Sequence, residues 1–113
     1  MLLLIGFESE EIEKIKGIFE DVITVSRDME DVKLREIIEQ RKEGSGEILG
    51  QQRIVIMHDI PKEKIGSTIK GIRSIIGEHI IFATSTPTSL QWKIEDLVEE
   101  LLEEDRYFRS HSK

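Results

Sequence analysis

The sequence predicts an α/β domain of order βαβαβαβα, a four-stranded, mostly parallel sheet flanked by helices and resembling a shortened flavodoxin-like domain. Three observations carry this expectation. Four short apolar runs are continuous rather than alternating, as in strands covered on both faces. Each run is followed by a pattern of helical period, so each strand needs a crossover connection. The turn signals fall between them. A strand order of 2-1-3-4 would give the flavodoxin-like arrangement, but the apolar runs do not assign the order. The alternative is a ferredoxin-like α+β core with added helices and an antiparallel sheet. The helical pattern from Val32 to Gln40 is long enough for a crossover, which favours the first reading.

The first run, Leu2 to Phe7, precedes a helix in which Ile12, Ile15 and Phe19 share a face, with Ser9 expected as its N-cap. Val22 to Ser26 forms the second strand, and Leu34, Ile37 and Ile38 mark a shorter helix after it. "KEGSGEILGQQ", residues 42–52, follows a helix and precedes a strand. A phosphate cradle needs the reverse order, so this stretch is expected to be a mobile connection. Ile54 to His58 is the third strand. Ile65, Ile69, Ile72 and Ile76 then recur at helical spacing, with Gly77 as the stop. Ile80 to Thr84 is the fourth, and a long helix runs from Leu90 to Phe108. "IKGI" occurs at 15–18 and again at 69–72, a weak echo between two βαβα halves.

The chain has 113 residues, 38% hydrophobic and 35% charged, enough for one modest core. Abundant Ile, Glu and Lys with no Asn and no Cys match the composition of hyperthermophile proteins. The absence of Cys excludes a disulfide framework and a thiolate nucleophile. "MLLLIGFESEE" is too short to span a bilayer and lacks a basic leader, so a cytoplasmic protein is expected. A net charge of −7 argues against nucleic acid and anionic membranes as partners. The basic tail "RYFRSHSK" suits the last turn of a helix, where cations are favourable.

In open parallel sheets ligands collect at the carboxyl ends of the strands. Those ends carry Glu8 and Ser9, Ser26 and Arg27, His58 and Asp59, and Thr84, Ser85 and Thr86. A parallel topology would place them on one rim, the candidate ligand site. Asp59 also reads as a helix cap beside Pro61, and His58 as a hydrogen-bonded strand end. No spacing supports a metal site, and no cofactor motif is present. In "ATSTPTSLQW", Thr88 and Gln91 match a capping box, and no flanking glycines form a nucleophile elbow. That stretch is mainly punctuation, and no catalytic residue is assigned.

Trp92 lies on the flank of the last helix, and Tyr107 and Phe108 lie near its end, which makes these three the candidate interface residues. "MHDIPKEKI" and "TPTSLQWKIEDLVEELLEEDRYF" resemble a small uncharacterised family of thermophilic archaea with bacterial relatives, a domain of unknown function. The resemblance implies an α/β domain and brings no activity. The expected function is a non-enzymatic, self-associating interaction domain, a homodimer with room for a protein partner. The alternative is a small-ligand or phosphate-binding domain using the strand ends.

Overall fold

A computed structural model describes residues 1–111. The eight elements follow the expected order: β1 (Leu2–Ile5), α1 (Ser9–Lys16), β2 (Val22–Val25), α2 (Leu34–Gln40), β3 (Arg53–Met57), α3 (Lys62–Ile75), β4 (Ile80–Thr84) and α4 (Ile94–His111). Short 3-10 turns, Arg27–Met29 and Ser89–Gln91, precede α2 and α4.

Strand order is β2-β1-β3-β4, and both outer pairs are parallel. The central pair is not. β1 and β3 run antiparallel, with Leu2 opposite Met57 and Ile5 opposite Ile54. The sheet is therefore mixed. It is neither the fully parallel sheet of a flavodoxin-like domain nor the antiparallel sheet of the ferredoxin-like alternative.

The cause lies between β2 and β3. Seven residues of α2 rise only about 10 Å, and the helix stops at Arg41, whose φ of 50° is left-handed. Residues 43–48 then return along the outer edge of β2 and deliver β3 beside the end of β1. Gly44 donates its N–H to Thr24 O at 2.8 Å, and Arg27 donates to Glu47 O at 2.9 Å. Ser26 bridges Ile48, and the Glu43 carboxylate accepts the Thr24 N–H. Lys16 holds the same carboxylate at 2.6 Å. A Cβ on Gly44 would stand 2.3 Å from Ser26 Oγ, so only glycine allows this approach. The stretch expected to be a mobile connection is thus a docked cover, with Leu49 buried beneath it.

Alternating residues divide the core between the two faces of the sheet. Leu3, Ile5, Ile54, Ile56 and Ile81 pack with Leu34 and Ile37 of α2 and Ile94, Leu97 and Leu101 of α4. Leu2, Leu4, Val55, Met57 and Ile80 pack with Ile15 of α1 and Ile72 of α3. The result is three layers, α/β/α.

An antiparallel centre between two parallel pairs relates the halves by an approximate twofold axis normal to the sheet. The hydrogen bonds obey it. Lys33 and Lys93 bridge, Leu34 donates to Trp92 O, and Ile94 donates to Val32 O, both at 3.0 Å. "VKLREIIE" (32–39) and "WKIEDLVE" (92–99) occupy equivalent places, a stronger echo than the "IKGI" pair. The repeated "IKGI" lies in or beside α1 and α3, which pack together, and Phe19 rests on Gly71 there.

α1 is capped by Glu8 rather than Ser9, and the Glu8 N–H is accepted by Glu11 Oε1 at 2.9 Å. Arg53 grips the same carboxylate through Nε and Nη2 at 2.9 and 2.8 Å. Burial works against the charged Glu11, but the hydrogen bonds from Arg53 and Glu8 outweigh it and hold its pKa below the usual range. For Glu43, burial is likewise outweighed, by Lys16 and the Thr24 N–H. Depressed folded pKa values contribute stability above the unfolded carboxylate range, and that stability is lost as pH falls through the folded values. Thermal melts should therefore fall in temperature as pH drops below about 4.5, the ordinary glutamate value. Glu11→Gln should flatten that slope; an unchanged slope would show that Glu11 does not contribute.

Candidate functional site

The antiparallel centre splits the expected rim in two. Glu8, Ser26 and Arg27 follow β1 and β2 and lie at one end of the sheet. His58, Asp59, Thr84, Ser85 and Thr86 follow β3 and β4 and lie at the other. Glu8 is therefore not assembled with His58 and Thr84. In a sheet with an antiparallel joint, the carboxyl ends of the two halves point opposite ways.

At the second end, His58 Nδ1 and Ser85 Oγ lie 2.8 Å apart. The His58 N–H donates to Met1 O, and the Met1 ammonium donates to His58 O, both at 2.9 Å. Asp59 is exposed with φ at 57°, a left-handed turn residue at the exit from β3. Thr86 is engaged in a reciprocal pair. Its N–H donates to Ser89 Oγ at 2.8 Å, and the Ser89 N–H donates to Thr86 Oγ1 at 3.0 Å. This replaces the Thr88–Gln91 capping box expected from spacing. Thr88 already has helical backbone angles and makes no side-chain cap. Thr86→Ala should cost about 0.5–2 kcal/mol, the usual worth of a cap, and Thr88→Ala much less. Denaturant unfolding of the two variants would check this, and the reverse order would restore the Thr88 assignment.

A different feature dominates the second half. The outer edge of β4 floors a groove of about 710 Å³ between α3 and α4. Ser85 donates its N–H inward to Met57 O, so alternation along the strand turns the backbone groups of Phe82 and Thr84 outward. Among the described residues no strand pairs with that side. The contrast with the equivalent edge of β2, covered by residues 43–48, is direct. α2 stops after 7 residues and releases its cover, whereas α4 continues for 18 and leaves β4 open.

The two walls of the groove differ in charge. On the α3 side Arg73 stacks over the Phe82 ring, 5.3 Å from its centroid. It makes no ion pair among the described residues. On the α4 side stand exposed Glu100 and Glu104. Asp105 is taken up by His79 at 2.9 Å and Arg109 at 3.6 Å. Phe108 lines the groove and is 69% exposed, and its ring meets Tyr107 edge-on at 6.1 Å. Trp92 is partly buried against the core, half lid and half groove wall.

Sequence reasoning singled out the aromatic residues but missed Arg73, Glu100, Glu104 and which of the two sheet edges stays open. The available signal was the unequal length of the two equivalent helices. No helix among the described residues is long and apolar enough to cross a membrane. No three His, Asp or Glu side chains there group as a metal site.

No curated protein and no solved structure matches the chain. Residues 53–108, which run from β3 into α4 and so cover the second βαβα half, match the family described as Domain of unknown function (DUF3783).

Proposed function

We propose that the protein is a non-enzymatic protein-interaction domain that docks its partner on the outer edge of β4. One observation carries this reading. The edge of β2 is closed by the chain's own residues 43–48, and the twofold-related edge of β4 is left open inside a groove. Unpaired strand edges invite pairing with another chain, and natural proteins close the ones they do not use. Self-association as a homodimer is the second reading, favoured by the exposure of Tyr107 and Phe108 beside the groove. Composition supports placing the domain in the cytoplasm of a thermophile.

The ligand-binding alternative keeps only His58, Asp59, Thr84, Ser85 and Thr86 on one side, and two of these hydroxyls already have partners. A photo-crosslinking amino acid in place of Thr84 tests the proposal inside cells. Protein adducts at position 84 and none at Glu20, exposed on the opposite half, are the expected result. An adduct of twice the chain mass identifies the homodimer. No adduct at position 84 would overturn the interaction reading.

A further inference from the structure

We propose that the β4 groove takes an extended segment of a partner protein whose side chains alternate in charge, carboxylates toward α3 and ammonium or guanidinium groups toward α4. The inference rests on the interaction reading and adds the chemistry of the occupant. The outward backbone groups of Phe82 and Thr84 suit an added strand, which would hydrogen-bond to them as Gly44 and Glu43 do to Thr24.

In such a strand successive side chains face opposite sides of the sheet. One set would meet Arg73, the cation over Phe82 that makes no ion pair among the described residues. The other would meet Glu100 and Glu104. The molecule contains the acidic half of this arrangement already. At the β2 edge the Glu43 carboxylate lies between Lys16 of α1 and the outward N–H of Thr24. α1 and α3 occupy equivalent places, so Arg73 offers the β4 edge a cation from the same side of the sheet as Lys16 does at β2.

A second copy fits this groove poorly. A twofold pairing of β4 with β4 would bring the two α4 helices side by side on one face, with Glu100 and Glu104 of each facing like charge.

The test uses the full chain, uniformly labelled for amide NMR, and three blocked octapeptides: alternating Lys-Glu, alternating Thr-Lys and alternating Thr-Glu. The Lys-Glu peptide should bind most tightly and move the amide signals of Phe82 and Thr84. Arg73→Gln should weaken it by about tenfold or more, as for loss of a charge-assisted contact. Thr84→Pro removes one outward N–H at an edge position that tolerates proline and should abolish binding. Unchanged amide signals elsewhere in that variant would show an intact fold. Equal binding of the three peptides, or binding indifferent to Arg73→Gln, would overturn the charge assignment. Shifts away from β4 would overturn the site. If crosslinks form at position 84 while all three peptides fail, the interaction reading stands and the proposed chemistry falls. Sedimentation as a dimer with the Phe82 and Thr84 amides protected would assign the groove to a second copy instead.

Discussion

Leu34→Ala and Ile94→Ala should each lower the unfolding free energy by about 2–5 kcal/mol, the range for truncating a fully buried aliphatic side chain. Both residues are 0% exposed and belong to the same core cluster. Both open a helix, and the N–H of each crosses to the other half, Leu34 to Trp92 O and Ile94 to Val32 O. The twofold makes them equivalents, so their costs should agree within about 1 kcal/mol, less than the spread usual for such truncations. The double variant should depart from additivity, because neighbours in one cluster share the cavity that is left. Denaturant unfolding at constant slope measures all three. A cost below about 1 kcal/mol at either site would show that the junction between the halves is loosely packed.

This junction also bears on the DUF3783 match. The matched residues, 53–108, contain only β3 and β4 of the sheet. An isolated pair of strands is marginal in water and gains stability from further strands or helices packed on it. Here residues 1–52 supply the missing neighbour, since β1 pairs with β3 and α2 packs beside the start of α4. The first half repeats the topology of the second without sharing its match.

The strands were legible because buried strands read as continuous apolar runs, and Leu2–Ile5 and Arg53–Met57 fall where those runs lie. The direction of β3 was not. It depends on where residues 41–52 travel, and that path is set by tertiary contacts such as Gly44 to Thr24, which leave no periodic trace. The ligand rim was built on that direction, so Glu8 went with His58 on paper and stands at the opposite end in the structure. The capping error has a local cause. Thr86 and Ser89 hold the same i, i+3 spacing as Thr88 and Gln91, and spacing alone does not say which pair closes the turn. Which of the two sheet edges stays open was hidden for another reason: the sequence of β4 is as apolar as that of a covered strand.

Gly6→Ala should be the most disruptive single methyl in the chain. Gly6 follows β1 with φ at +81°, where a side chain costs about 1–2 kcal/mol by itself. A Cβ there would also stand 2.1 Å from Gln52 O and 3.0 Å from Gln52 C. Those are backbone atoms, so no rotamer change relieves the clash. Either the end of β1 or the start of β3 must move, and both belong to the antiparallel pair that joins the halves. The combined loss should exceed about 3 kcal/mol, among the large effects for one substitution. Gly66→Ala is the matched control. Gly66 is exposed within α3, and a Cβ there meets nothing within 4 Å, so alanine should stabilise by about 0.5–1 kcal/mol. Thermal melts of the two variants should move in opposite directions. A Gly6→Ala protein that melts with the parent would mean that β1 and β3 do not approach as described, and the antiparallel joint would have to be redrawn.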